Sequence, residues 1–147
     1  MSKKRILIVE DEALTVLALK RDLAELGYEV AGTASTAADA LRAAENNRAD
    51  LVLMDIQLDG GISGVAAAAA IRGHLDVPVV FLTAHASAEI LAHAVESGAF
   101  GYLVKPYTTP ELKAEIDIAL HKHKTERAMR RALGLRMAAS TAKPPAT

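Results

Sequence analysis

The stretch Leu51-Val52-Leu53-Met54-Asp55 decides the fold predicted for this chain. Four consecutive apolar residues favour a strand that is buried on both faces, which is the usual state of a central strand in a parallel sheet. This strand ends on the carboxylate of Asp55. Open α/β sheets bind ligands in the crevice at the carboxyl ends of their strands. We therefore interpret Asp55 as the centre of a functional site.

Composition restricts the classes of protein to which the chain can belong. Its 147 residues suggest one domain, and 51% hydrophobic residues with only 3% aromatic residues predict an aliphatic, alanine-rich core. Disulfides, thiol catalysis and thiolate metal sites are excluded because there is no cysteine. A net charge of −1 gives no global attraction to nucleic acid or membrane. The apolar run Ile6–Val9 is too short for a signal peptide or a membrane span, so we expect a soluble cytoplasmic protein.

Apolar periodicity predicts five strands that alternate with five helices. Such alternation indicates right-handed crossovers and one parallel sheet with helices on both faces. Gly27, Asn46-Asn47 and Gly98 are typical helix ends, and Thr109 with Pro110 behind it is a typical helix start. The predicted strands are Arg5–Val9, Tyr28–Gly32, Leu51–Asp55, Val79–Leu82 and Gly101–Val104. The predicted helices span about 12–26, 35–46, 65–72 and 88–97, the third with Ser63 as its cap; Thr109 is the predicted cap of the last helix, which begins at Pro110.

Polar residues of particular kinds follow four of the five strands. They are Glu10-Asp11, Asp55, Thr83 and Lys105. Because the strands of this sheet run parallel, these four ends lie on the same edge. Alone, an acid pair is more often a charge pair at a helix N-terminus, and a lone Lys-Pro is usually a loop feature. The occurrence of all four in order favours a functional cluster.

The acidic members of this cluster predict a metal site. Three carboxylates in one crevice repel each other, and either a proton or a hard divalent cation relieves the repulsion. An all-oxygen site with room for water suits Mg²⁺, with Mn²⁺ as a substitute. We expect Asp11 to bind the metal directly and Glu10 to help through water, beside Asp55.

The same cluster has the groups that phosphoryl transfer requires, namely positioning and charge neutralisation around a nucleophile. We expect Asp55 to be the nucleophile and to form an aspartyl phosphate. Lys105 would pair with one phosphoryl oxygen. The Thr83 hydroxyl and the backbone N–H of Ala84 would bind another.

These residues resemble the receiver domain of two-component response regulators over residues 4 to about 121. The matching stretches are Ile6–Asp11, Leu51–Asp55, Val80–Ala84 and Gly101–Pro106. The resemblance implies a flavodoxin-like (βα)5 fold, doubly wound, with strand order 2-1-3-4-5. It also implies Mg²⁺-dependent phosphorylation of Asp55 by a sensor histidine kinase or a histidine phosphotransfer protein.

The resemblance implies further roles for single residues. The backbone carbonyl of Gln57 would bind the metal, and the Lys105–Pro106 peptide bond would be cis. Thr83 and Tyr102 match the switch pair, whose movement would reshape the face made by the fourth helix, the fifth strand and the fifth helix. The loop after Asp55 departs from the family pattern, because it lacks the usual proline. We interpret Asp59 in that loop as a turn residue and not as a metal ligand.

The C-terminal region extends beyond what the fold needs. We predict a receiver domain over residues 1–121, a basic extension of the last helix over 122–136 and a disordered tail over 137–147. The extension is either a solvated helix end or a surface for dimerisation or partner docking, with a modest apolar stripe at Ala128, Met129, Ala132 and Leu133. Nucleic-acid binding is disfavoured, because no recognised binding fold follows.

The sequence therefore predicts a stand-alone response regulator that is a phosphoacceptor and not a turnover enzyme. Two alternatives stay open. One is an interaction module that has the receiver fold and acts constitutively. The other is a small Mg²⁺-dependent phosphatase of the aspartyl-phosphate type, against which Gln57 argues, because such enzymes carry an acid two residues after the nucleophile. The downstream target is unknown, and a homodimer through the last helix is one possible outcome.

Overall fold

Five strands and five helices alternate along the chain in the computed structural model, which describes residues 3–58, 63–84 and 87–142. The strands are β1 (Arg5–Val9), β2 (Glu29–Ala34), β3 (Leu51–Asp55), β4 (Val79–Thr83) and β5 (Gly101–Val104). The helices are α1 (Ala13–Glu25), α2 (Ala37–Asn46), α3 (Ser63–Leu75), α4 (Ala88–Glu96) and α5 (Thr109–Ala142).

All five strands run parallel in one sheet of order β2-β1-β3-β4-β5, which confirms the flavodoxin-like topology. The strand register brings the carboxyl ends to one level. Val9 of β1 lies opposite Met54 of β3, and Asp55 lies opposite Leu82 of β4. Thr83 in turn lies opposite Val104 of β5. The polar residues at these strand ends therefore share one edge of the sheet.

The core is aliphatic and has two layers, one on each face of the sheet. Alternate residues of a strand point to opposite faces, so β1 contributes Leu7 and Val9 to one layer and Ile6 and Ile8 to the other. Helices α2, α3 and α4 cover the first layer, and α1 and α5 cover the second. The central strands are buried on both faces, as the unbroken apolar runs predicted.

Two predicted helix starts differ from the structure. The cap of α5 is Thr108 and not Thr109: the Thr108 hydroxyl accepts from the Glu111 N–H at 3.2 Å, and Glu111 Oε1 accepts from the Thr108 N–H at 3.0 Å. This reciprocal capping box satisfies two backbone donors, which a cap at Thr109 would leave open. Helix α3 begins at Ser63, predicted as its cap, because the following glycine and alanines continue the helical backbone.

Four predicted ends were also too early: β4 reaches Thr83 and α3 reaches Leu75, one and three residues beyond their predicted ends, and the ends of β2 and α5 differ as well. Strand β2 continues to Ala34, because Ala34 pairs with Val9 after a register shift near Gly32. Helix α5 continues to Ala142, so the tail predicted from Met137 is wrong for residues 137–142. Methionine and alanine are strong helix formers, and no breaker precedes Pro144. The remaining tail, residues 143–147, lies outside the described residues.

No helix among the described residues combines the length and the apolar character that crossing a bilayer requires. Helix α5 is long enough at 34 residues, but it carries charged side chains throughout. Its inward face is apolar only where it covers the sheet, at Leu112, Ile116 and Ala119. These residues recur at i, i+4 and i+7, which places them on one side of the helix.

We predict that Ile116→Ala destabilises the protein by about 2–5 kcal/mol, because a fully buried side chain leaves a cavity. Ile118→Ala on the same helix is the matched control, since its side chain is 46% exposed and the change should cost less than about 1 kcal/mol. Urea unfolding of both variants measures the difference in free energy of unfolding. Equal losses would contradict the placement of α5 on the sheet.

Candidate functional site

The carboxylates of Glu10, Asp11 and Asp55 lie together at the carboxyl edge of the sheet. One oxygen from each lies within 4.8 Å of the others. Glu10 is buried, Asp55 is partly buried and Asp11 is exposed. The structure therefore brings together the three acids predicted from the strand ends, with their oxygens facing one opening.

Backbone hydrogen bonds hold Glu10 and Lys105 in place directly after their strands. The Glu10 N–H donates to the Ala34 carbonyl at 2.9 Å, which extends the β1–β2 pairing past Val9. The Lys105 N–H donates to the Thr83 carbonyl at 2.8 Å, which extends the β4–β5 pairing. The charged side chains therefore start from a rigid backbone.

Lys105 provides the positive charge of the site. Its Nζ lies 3.1 Å from Glu10 Oε2 and 3.6 Å from Asp55 Oδ2. The predicted cis peptide bond between Lys105 and Pro106 is confirmed. The lysine thus bridges two of the three acids and reduces their mutual repulsion.

The shifted pKa values follow from this arrangement. Burial raises the pKa of Glu10; the hydrogen bond from Lys105 opposes that rise, and repulsion by Asp55 adds to it. Burial lowers the pKa of Lys105, but its hydrogen bond to Glu10 and the negative charge of Asp55 outweigh this effect, so that its pKa is raised. A buried acid whose charge is costly is a group that gains from a bound cation.

The orientation of Asp55 depends on two close backbone approaches. Asp55 Oδ1 accepts from the Gln57 N–H at 2.9 Å. Gly64, in the first turn of α3, packs so tightly that an added Cβ would lie 2.4 Å from the Asp55 carbonyl oxygen. Only glycine fits there, so Gly64 sets how closely α3 approaches the strand end. The carbonyl of Gln57 as a metal ligand stays a prediction.

The predicted phosphoryl-binding and switch residues lie on the β4 and β5 side of the carboxylate cluster. Thr83, the last residue of β4, is 1% exposed, and Ala84 directly follows it at the surface. Tyr102 lies on β5 opposite Phe81 and is 44% exposed. The Tyr102 ring therefore has room to change its position, as a switch role requires. The interpretation of Asp59 as a turn residue falls outside the described residues.

The donor set fits a hard divalent cation. Three carboxylates supply oxygen ligands, and their separations leave room for a small ion with water. Among the described residues, no other group of acidic or histidine side chains comes together in this way. Asp11 is the most accessible of the three acids, which suits a direct ligand, whereas Glu10 is committed to Lys105 and to the Glu12 N–H at 3.2 Å.

Two features of the site were not predicted from the sequence. The first is the direct ion pair between Lys105 and Glu10, since both residues were expected to act on a ligand. The second is Gly64, whose signal was its position in the loop and helix start after Asp55. A glycine there in an otherwise alanine-rich helix indicates close backbone contact.

Comparison with known proteins identifies the family of the chain. The family model of the response regulator receiver domain matches residues 6–117. The transcriptional regulatory protein PdtaR of Mycobacterium tuberculosis is 37% identical over 119 residues, which cover 81% of this chain and 58% of that protein. The transcriptional regulatory protein KdpE of the same species is 35% identical over 118 residues, covering 80% of this chain and 51% of that protein. The chain spans only about half the length of these curated relatives.

Solved structures give the same result. A CheY-like response regulator receiver domain protein from Methanospirillum hungatei has a TM-score of 0.76 and 31% identity, covering 85% of this chain and 99% of that one. The signal receiver domain of a modulated diguanylate cyclase from Desulfovibrio desulfuricans has a TM-score of 0.78 and 36% identity, with the same coverage. The fold and the site define a receiver, and the chain belongs to the response regulator receiver domain family.

We predict that Asp11→Asn raises the Tm in the absence of metal, because it relieves repulsion among the acids. It should also abolish most of the stabilisation by Mg²⁺, which would reach about 2.7 kcal/mol for the unaltered protein at a hundredfold excess over the dissociation constant. Thermal unfolding with and without Mg²⁺ measures both effects. Glu25→Gln, which removes one exposed charge from α1, is the matched control.

Acid should weaken the effect of the metal. Because the pKa of Glu10 is raised, the folded protein takes up a proton there at a higher pH than the unfolded chain does, and this proton competes with the cation. The increase in Tm caused by Mg²⁺ should therefore be smaller at pH 5 than at pH 8. An increase that is the same at both values, or that survives Asp11→Asn, would contradict a metal site here.

Proposed function

We propose that this receiver accepts a phosphoryl group on Asp55 from a sensor histidine kinase or a histidine phosphotransfer protein, in a Mg²⁺-dependent reaction. The observation that carries the proposal is the cluster of Glu10, Asp11, Asp55 and Lys105 at one edge of the sheet. An Asp55 carboxylate oxygen attacks the phosphorus, the P–N bond to the donor histidine breaks, and the imidazole leaves with the electron pair of that bond.

The chain's own residues have separate tasks in this step. A bound Mg²⁺ would neutralise charge on the phosphoryl oxygens. The Gln57 N–H, which holds Asp55 Oδ1, keeps the carboxylate aligned. Lys105 would exchange its contact with Glu10 for one with a phosphoryl oxygen, which is the same kind of charge-assisted bond. Thr83 and the Ala84 N–H would bind a second oxygen.

The signal in this proposal is a change of the face made by α4, β5 and α5. Movement of the Thr83 hydroxyl toward the phosphoryl group would leave space beneath β4, and the ring of Tyr102 would turn inward. Tyr102 is half-exposed in the present conformation, so its burial would visibly change this face. A downstream protein that binds this face would then detect the phosphorylated state.

We class the protein as a phosphoacceptor with self-catalysed phosphotransfer and autodephosphorylation, and not as a turnover enzyme. Gln57, two residues after Asp55, offers an amide where an aspartyl-phosphate phosphatase needs an acid. A constitutive interaction module is disfavoured, because every group needed for acceptance is present. The stand-alone role, the cytoplasmic location and a homodimer through the last helix stay predictions.

The first test is intact mass after incubation with acetyl phosphate and Mg²⁺. We expect one added phosphoryl group on the unaltered protein and none on Asp55→Asn, because the amide cannot act as the nucleophile. Asp39→Asn, an exposed acid on α2, is the control and should still be modified. Chelation of the metal should prevent the reaction. Modification of Asp55→Asn, or steady release of phosphate from an ester, would contradict the proposal.

Lys105→Ala should separate acceptance from signalling. We expect the variant to fold, to bind Mg²⁺ and to take up phosphate on Asp55. The environment of Tyr102 should not change, because the lysine ammonium group that would bind the phosphoryl oxygen is gone. NMR chemical shifts of the Thr83 and Tyr102 amides before and after acetyl phosphate give the measurement. Lys113→Ala on the exposed side of α5 is the control. Normal shift changes in Lys105→Ala would overturn the assigned role.

A further inference from the structure

The part of α5 beyond Leu120 forms an apolar groove with the segment before β5. The groove measures about 550 Å³ and its lining is almost wholly apolar. Met129 and Leu133 form one wall, with exposures of 61% and 52%, and Phe100 forms the other. Lys122 and Thr125 lie on the same side of the helix as these two apolar residues, because positions 122, 125, 129 and 133 follow the spacing i, i+3, i+7 and i+11. We call this feature the extension groove.

A cluster of ion pairs fixes the helix that forms the groove. Asp76, just after α3, accepts from Arg130 at 2.9 and 3.0 Å and lies 3.4 Å from His123. Arg72 at the end of α3 donates to Asp76 and to Glu126, each at 3.0 Å. Burial raises the pKa of Asp76, but the hydrogen bond from Arg130 and the positive charges around it hold that pKa below its usual range. The first turns of the extension are therefore anchored and do not project freely.

The same cluster fixes the other wall of the groove. The Arg72 guanidinium lies 4.4 Å from the centre of the Phe100 ring, and the His123 ring meets Phe100 edge-on at 5.9 Å. The His123 contact holds Phe100 against α5, and the Arg72 contact holds it against α3. The groove is thus largely preformed, so a partner would lose little free energy in ordering it.

Charge is segregated along this chain. Residues 121–147 hold seven Lys and Arg and one Glu, whereas residues 1–120 hold ten Lys and Arg and 17 Asp and Glu. At the groove, the one acid, Glu126, is already paired with Arg72 and Arg130. Lys122 has no ion pair within the described part of the chain. The rim of the extension groove is therefore positive and favours a partner with carboxylates beside its apolar residues.

A second copy of this chain does not meet that requirement. In a symmetric dimer that pairs the two extension grooves, the two extension helices would face each other with their cations. Residues 121–134 carry five Lys and Arg against one Glu, which is the residue held by Arg72 and Arg130. Like charges across an interface oppose association. The groove is better suited to a different protein.

A membrane or a nucleic acid also fits poorly. A bilayer needs an apolar face that can insert among the lipids, whereas Phe100, one wall of the groove, lies beside the acidic body of the domain. Anionic lipids and nucleic-acid phosphates would be repelled by that body. The lining of the groove, moreover, is apolar and offers no row of donors to phosphates.

We propose that the extension groove binds an amphipathic helix of a partner protein, with apolar residues spaced at i, i+3 or i+4 and i+7 and with acidic residues beside them. Helix-in-groove recognition takes this form. Phe100 lies two residues before Tyr102, so the bound helix would sit beside the proposed switch. Binding of a helix to the groove is independent of the proposed signalling function. Only the identification of that helix with the downstream partner rests on it.

The test uses a displayed library of helical peptides in which apolar and charged positions vary freely, panned against the full chain in the unphosphorylated state. We expect enrichment of acidic amphipathic sequences. An enriched peptide, made synthetically, should bind about tenfold more weakly to Met129→Glu, because a central anchor is lost. Ala128→Glu makes the same change in charge on a side of the helix outside the groove, and it should bind normally. Lys122→Glu should shift the selection toward basic sequences.

The other outcomes overturn the proposal. Enriched peptides that bind Met129→Glu as tightly as the unaltered protein, or that lack acidic residues, would contradict the proposed acidic amphipathic partner. Dimerisation in sedimentation that Leu133→Glu abolishes would make a second copy the occupant. Tighter binding to vesicles of anionic phospholipid, or to mixed-sequence RNA, than to any enriched peptide would point to those ligands instead. The same panning with Asp55→Asn separates this result from the phosphorylation test, because the groove should bind whether or not Asp55 is an acceptor.

Discussion

The repulsion among three carboxylates is the constraint on which the functional end of this molecule depends. Glu10, Asp11 and Asp55 would move apart in water, but the parallel sheet starts all three from neighbouring strand ends. Lys105 reaches two of them and offsets part of the repulsion. What remains is a cluster in which part of the repulsion is uncompensated. The cost of holding these charges together is what the proposed cation would relieve.

Topology and the main site residues could be predicted from the sequence because each depends on a local pattern. Buried strands show as unbroken apolar runs, and parallel pairing then places Asp55, Thr83 and Lys105 on one edge without any knowledge of side-chain geometry. The resemblance of four short motifs added the strand order and the cis bond before Pro106, both of which the structure contains. Each of these features is encoded by a short stretch of sequence.

The features that could not be predicted depend on residues far apart in sequence. Glu10 and Lys105 are separated by 95 positions, and only the folded sheet makes them direct partners. The cap at Thr108 is the exception, because Glu111 lies only three positions further on and its side chain returns to the Thr108 N–H, a spacing that is itself a sequence signal. Asp76 gathers Arg127, Arg130 and the imidazole of His123 from α5, more than 45 positions away, and these contacts anchor the start of an extension for which a solvated helix end was one of the alternatives. Pattern analysis locates elements, but it does not choose among long-range partners.

The two ends of this domain carry opposite charge for different reasons, and the difference separates their partners. The carboxyl edge is acidic because strand ends place three carboxylates there, and part of this negative charge is balanced from within by Lys105. The extension at the other end is positive. Its one acid, Glu126, is paired with Arg72 and Arg130, so it does not balance the charge of Lys122. A protein that approaches the acceptor and one that approaches the extension therefore meet opposite fields. Tyr102 and Phe100, two residues apart, lie between these surfaces. This short segment of backbone is therefore one direct connection between the two surfaces.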